Sequence, residues 1–183
     1  MITKKQFYFV RHGQTDHNLL EGDDKGDHHG DIPLNQTGRE QAAQIEPLVA
    51  NLPIETICAS PMKRAQETKE IISARLQALH HEIEDLGECS AKIWKEMTRL
   101  GMYSPLPSDG EAHMFMERVR RGLNAALSLP GPALVVAHGG VHWAICCLIQ
   151  MADHEWKLEN CGVVHFSLDV SGNWKAKKLS ARI

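Results

Sequence analysis

The chain has no excess of positive charge: 20 Lys and Arg against 23 Asp and Glu give a formal net charge of −3. Such a balance gives no reason to expect nucleic acid or an acidic membrane surface as a partner, and any attraction for an anion must be local. Long apolar runs are also missing. The longest, residues 133–149, is interrupted by His138, Gly139, Gly140 and His142, which excludes a membrane-spanning helix. Near the start only four apolar residues precede Arg11, too few for the apolar segment of a signal peptide, so a cytoplasmic protein is expected. The five cysteines, Cys58, Cys89, Cys146, Cys147 and Cys161, are an odd set without C-x-x-C spacing, and read as small buried apolar residues in a reducing compartment. With no repeats, low-complexity segments or splitting linkers, residues 1–183 are expected to form one domain with a real core.

What the chain does have is an apolar strand that ends in chemistry. Phe7-Tyr8-Phe9-Val10 reads as a short buried strand, and Arg11, His12 and Gly13 follow at once. Gly13 suits a tight turn where backbone approaches a ligand. In an open α/β sheet the carboxyl ends of strands are where ligands bind. The pattern recurs in Ala133-Leu134-Val135-Val136-Ala137-His138-Gly139-Gly140. A lone histidine of this kind is most often a satisfied core residue. Two of them aimed at one rim, with an arginine beside the first, indicate a site.

The remaining elements follow from spacing and capping. Residues 16–31 form a polar, glycine-rich loop beside the site, in which Asp27-His28-His29-Gly30-Asp31 reads as a solvated loop, with substrate contact as the second choice ahead of a metal site. Thr37 and Glu40 have the form of a capping box opening a helix, with Ile45, Leu48, Val49 and Leu52 on one face and a kink or break expected at Pro47. Thr56-Ile57-Cys58-Ala59 is the next strand. Ser60 as N-cap and Pro61 at the first position open a second helix, with Ala65, Thr68, Ile72 and Leu76 inward. Arg64 then falls in a first helical turn, against the macrodipole, which an anion bound at that helix end would explain. Residues 81–86 read as a weak strand, 91–100 as a short helix, and 103–110 as a connector. A long helix begins at Glu111, and residues 141–151 form a buried helix in which Trp143 and His142 pack; Trp156 is also expected to pack. His80 and His81 sit at a helix-to-strand junction. Residues 163–168 and 174–179 form a hairpin. Alternating strands and helices imply a three-layer α/β/α fold, its mainly parallel sheet covered on both faces.

Arg11-His12-Gly13-Gln14-Thr15, the Ser60-Pro61-Met62-Lys63-Arg64-Ala65-Gln66-Glu67-Thr68 block and Ala137-His138-Gly139-Gly140 together resemble the histidine phosphatase superfamily, phosphoglycerate mutase-like branch. Asp31-Ile32-Pro33-Leu34 and Thr37-Gly38-Arg39-Glu40-Gln41-Ala42 match its pattern as well. The resemblance implies a phosphoglycerate mutase-like fold and makes His12 the nucleophile that becomes phosphorylated. It assigns Arg11, Arg64 and His138 to the phosphate pocket and Thr15, Asn18 and Gly139 to substrate binding. Glu88, six residues before Trp94, matches the general acid. The chain departs from the family pattern at Lys92, Lys95 and Glu96 around that tryptophan. It departs again at Asp27-His28-His29, where Gln-Gly often stands.

These residue types suit phosphoryl transfer. Two guanidiniums and an imidazole can grip the three equatorial oxygens of the transition state, so no metal and no cofactor are expected. A neutral imidazole attacks through one nitrogen when a backbone acceptor holds the proton on the other. A carboxyl beside a phosphate dianion keeps its proton more readily and can pass it to the leaving alcohol. The expected activity is that of a metal-independent phosphomonoesterase of the histidine acid phosphatase type, acting on a small phosphorylated metabolite through a phosphohistidine. A 2,3-bisphosphoglycerate-dependent mutase shares every catalytic residue; its usual added enclosing segments have little room in 183 residues. A protein-phosphohistidine phosphatase typically lacks the Glu and Trp block. A non-catalytic phosphate-binding module would lack a nucleophile or acid.

Overall fold

The computed structural model describes residues 1–19, 31–100, 108–151 and 157–180. The expectations for Asp27-His28-His29, for most of the 103–110 connector and for Trp156 lie outside the described residues. The strands are β1 (Phe7–Arg11), β2 (Thr56–Ala59), β3 (Leu79–Glu82), β4 (Ala133–Ala137), β5 (Val163–Leu168) and β6 (Trp174–Leu179). The helices are α1 (Gln36–Val49), α2 (Lys63–Ile72), α3 (Ala91–Leu100), α4 (Gly110–Ser128) and α5 (Gly139–Leu148). Short 3-10 turns lie at Asp16–Leu19 and Glu84–Leu86.

One sheet runs β3-β2-β4-β1-β5-β6. β1, β4, β2 and β3 pair in parallel, while β5 and β6 add antiparallel as the expected hairpin. Side chains alternate across the pleat. Phe7, Phe9, Val135 and Phe166 therefore bury on one face with Phe115, Val119 and Leu123 of α4 and Ile145 of α5. Tyr8, Val10, Leu134 and Val136 bury on the other with Ala42 and Val49 of α1 and Ala65 and Ile72 of α2. This is the expected three-layer α/β/α arrangement. Phe7 stacks on Phe166 with centroids 4.7 Å apart, a pairing worth about 1 kcal/mol beyond burial. All five cysteines are buried. Trp143 is buried in the core and so is His142, with its ring 5.2 Å from Phe9 and its Nε2 3.7 Å from Cys146 Sγ. Among the described residues no helix is long and apolar enough to cross a membrane.

Five local expectations are corrected. The cap of α1 is Asn35, whose Oδ1 accepts the Gly38 N–H at 2.9 Å; Thr37 lies inside the first turn, and Glu40 accepts from Gln36 instead of reaching back. No break stands at Pro47: it lies inside α1, which continues through it and ends at Val49. The second helix starts at Lys63, where the Asp31 carboxylate accepts the Lys63 N–H, and Ser60 is not its N-cap because its hydroxyl faces His138. It also ends at Ile72, so Leu76 packs on the core from beyond it. The strand read at 81–86 is β3, which ends at Glu82 before a 3-10 turn, and His80 and His81 are exposed within it. β3 is an edge strand paired only with β2, so little packing extends it.

Candidate active site

β1 and β4 lie side by side with Arg11 opposite Ala137, so the histidine after each strand arrives at the same edge. His12 N–H donates to the Ala137 carbonyl at 2.9 Å, and the two imidazoles lie 5.1 Å apart between centroids. His12 is 4 % exposed and His138 fully buried.

Each residue around them is held by a different element. His12 Nδ1 is 2.7 Å from the Gly13 carbonyl. A carbonyl only accepts, so Nδ1 carries the proton and Nε2 keeps its lone pair. Gly13 lacks room for a side chain: a Cβ there would sit 2.5 Å from the Gly38 carbonyl oxygen. The close approach that Gly13 permits here is to the backbone of α1. The Gly13 N–H donates to Thr68 Oγ1 at 3.0 Å, and Thr68 in turn donates to the Arg64 carbonyl at 2.7 Å. β1's turn and α2's first turn are therefore tied together. Arg11 is clamped by its Nη1, which donates to the Leu158 carbonyl at 2.6 Å, while its Nε is buried without a partner. His138 Nδ1 is the other orphaned buried atom; Nε2 of that ring lies 2.8 Å from Ser60 Oγ.

Glu88 reaches the same edge from the loop before α3. Its Oε1 accepts the Cys89 N–H at 3.0 Å and its Oε2 the Gly140 N–H at 3.1 Å, at the N-terminus of α5. Arg118 of α4 fixes that loop by donating to the Asp85 carbonyl at 3.2 Å and the Glu88 carbonyl at 3.1 Å. Gly122 lets α4 approach, since a Cβ there would lie 3.1 Å from the Asp85 carbonyl carbon. Thr15 and Asn18 face each other: the Thr15 N–H and hydroxyl both donate to Asn18 Oδ1, at 3.0 and 3.2 Å. Gly139 opens α5 beside the Arg11 guanidinium.

Burial, reinforced by the Arg64 and Arg11 charges, pulls His12 down to about 3 despite the Gly13 hydrogen bond. Burial likewise holds His138 well below the usual imidazole range, with His12 and the arginines acting in the same direction. Arg11 and Arg64 are lowered by desolvation and partly restored by Glu88. At neutral pH the edge thus holds two uncharged imidazoles beside two guanidiniums. Among the described residues no group of three His, Cys, Asp or Glu could hold a metal ion.

The residues assigned to the site from the sequence, Arg11, His12, Thr15, Asn18, Arg64, Glu88, His138 and Gly139, all gather at this edge. Four contributors were not anticipated in these roles: Ser60, Thr68, Arg118 and Asn160. Asn160 Nδ2 donates to the His12 carbonyl at 3.0 Å and to Asn18 Oδ1 at 3.2 Å, across 148 and 142 residues of chain. No local pattern marks such contacts; only the polar character of Ser60 and Thr68 within a buried block hinted at them.

The parallel strands of this three-layer α/β fold thus end in a cluster of guanidiniums and imidazoles, in which Arg11 Nε and His138 Nδ1 are buried without a partner. The chain belongs to the histidine phosphatase superfamily (branch 1), whose family model matches residues 7–181. It is 32% identical over 174 residues to an agropine synthesis reductase of Rhizobium rhizogenes, covering 87% of this chain and 39% of that protein. The chain thus spans about two fifths of the first relatives it matches. It is 32% identical over 154 residues to the uncharacterized phosphatase PhoE of Bacillus subtilis (strain 168), covering 80% of this chain and 78% of that one. Among solved structures, phosphoserine phosphatase from Entamoeba histolytica in complex with 3-phosphoglyceric acid gives a TM-score of 0.69 at 21% identity. That match covers 97% of this chain and 98% of the other, and is a likeness of fold.

Proposed function

We propose that the chain is a metal-independent phosphomonoesterase of the histidine acid phosphatase type, one catalytic domain over residues 1–183 acting on a small phosphorylated metabolite in the cytoplasm. The observation that carries this reading is the His12 ring. Its Nδ1–H is committed to Gly13, its Nε2 is free, and burial keeps it neutral far into acid.

His12 Nε2 attacks phosphorus in line, and the bond from phosphorus to the leaving oxygen breaks. Arg11, Arg64 and His138 take the equatorial oxygens, which supplies the charge stabilisation without a metal. Thr15 and Asn18 line the pocket, and Gly139 adds the N-terminal end of α5. Glu88 gives a proton to the leaving alcohol. As a carboxylate it then takes a proton from water, which attacks the phosphohistidine and releases inorganic phosphate and free His12. The Gly13 carbonyl accepts a stronger hydrogen bond from Nδ1 as the ring gains positive character.

The test is hydrolysis of a chromogenic aryl phosphate with a chelator present, for wild type and His12→Ala across pH. Turnover that survives chelation and is lost in the variant supports the proposal. Turnover that needs added metal, or persists in His12→Ala, overturns it. Isomerase activity primed by a bisphosphate, without hydrolysis, assigns the site to a mutase.

A further inference from the structure

We propose that Ser60 is a positioning residue: its hydroxyl donates to His138 Nε2, so that the ring carries its proton on Nδ1 and offers that N–H to the bound phosphoryl group. The proposal rests on the reading of this pocket as a phosphate site.

The hydrogen-bond inventory selects the direction. Ser60 and His138 are both fully buried, and Oγ lies 2.8 Å from Nε2. One side of the serine oxygen already accepts the Met62 N–H at 3.3 Å. Its single proton has no acceptor among the described residues other than Nε2. If Nε2–H donated instead, the hydroxyl proton would be stranded in a dry interior and a lone pair on Nδ1 would face the incoming anion. With Ser60 donating, Nδ1 becomes a donor. It is buried without a partner, as is Arg11 Nε beside His12. Both imidazoles then hold the same tautomer but are turned opposite ways: His12 shows the pocket a lone pair for attack, and His138 shows it a proton. Ser60 also explains its own place in the chain. It is freed from capping because α2 starts at Lys63 and draws its cap from Asp31.

The experiment is long-range proton–nitrogen correlation NMR of histidine-labelled protein at neutral pH, with His138 assigned through the signals lost in His138→Gln. In wild type, Nδ1 of His138 should be the protonated nitrogen and Nε2 the bare one. In Ser60→Ala the proton should move, partly or wholly, to Nε2. kcat/KM for an aryl phosphate should fall by about tenfold to a hundredfold. A wild-type His138 protonated on Nε2 overturns the proposal, and so does an unchanged tautomer in Ser60→Ala. The wild-type spectrum decides the first point even if the variant fails to fold. Because the tautomer is read on the free protein, it tests the Ser60 hydrogen bond separately from the phosphatase assay, whose failure would overturn the functional reading on which the phosphoryl contact rests.

Discussion

The two strand–histidine–glycine units look alike in the sequence and differ in what anchors them. After β1, His12 is tethered by the carbonyl of the next residue, Gly13, at 2.7 Å. After β4, His138 is tethered by a side chain 78 residues away, Ser60, at 2.8 Å. The first glycine presses against backbone, with Gly38 of α1 too close for a Cβ. In the second unit Gly140 presses against the Glu88 carboxylate and gives it an N–H. The first anchor leaves a nucleophilic nitrogen; the second sits at the start of a helix whose free N–H groups favour negative charge. A repeated motif therefore marks where two strands converge, and its neighbours decide what each copy does.

The largest expected effect separates the two histidines. His12→Ala should lower aryl phosphate turnover by ~10⁴-fold or more, since no other group supplies the nucleophile. His138→Gln, which keeps an N–H, should cost about tenfold to a hundredfold. Equal losses in steady-state kinetics would erase the distinction.

Glu88→Gln comes next and should act selectively. Turnover of alkyl phosphates, whose leaving groups need a proton, should fall by about 10²–10⁴-fold. Nitrophenyl phosphate should fall much less. Equal losses on both substrates would remove Glu88 as the acid.

Acid stability follows from the buried rings. Burial holds His12 at about 3, whereas an unfolded histidine titrates near 6.5. Between these values the unfolded chain binds the additional proton, so stability rises with pH across that window and is lost as pH falls through it. One such ring contributes a slope of up to about 1.4 kcal/mol per pH unit. His138, lowered for the same reason, acts in the same direction. Urea midpoints between pH 7 and 4 should therefore fall less steeply for His12→Asn than for wild type. The smallest effect is expected away from the site. Arg39 pairs with Glu67 at 3.2 Å on an exposed surface, and Arg39→Ala should cost under about 1 kcal/mol and leave kcat unchanged.

Much of the fold was legible because burial is written into residue type. The apolar runs of β1 and β4, and the β5–β6 hairpin, appear where their patterns put them. Arg11, His12 and His138 were legible because each interrupts a run that otherwise wants to be buried. The helix starts were less so. Thr37 and Ser60 have the chemistry of caps, but Asn35, just before α1, and Asp31, 32 residues before Lys63, perform those tasks. Ser60, Asn160 and Arg118 escaped as site residues because their partners are set by tertiary placement, and spacing carries no trace of it. Arg118 stood unremarked in a helix whose apolar face alone was noted, although it holds the loop that carries Glu88.

The most direct test of the central claim, that His12 attacks through a free Nε2, is to trap the intermediate. The protein would be mixed with an aryl phosphate, quenched in alkali to preserve the acid-labile phosphoramidate, and mapped by peptide mass spectrometry. A phosphoryl group should be found on His12, formed and lost at rates that match turnover. A phosphoryl group on another residue, or turnover with no phosphoenzyme formed, would contradict it.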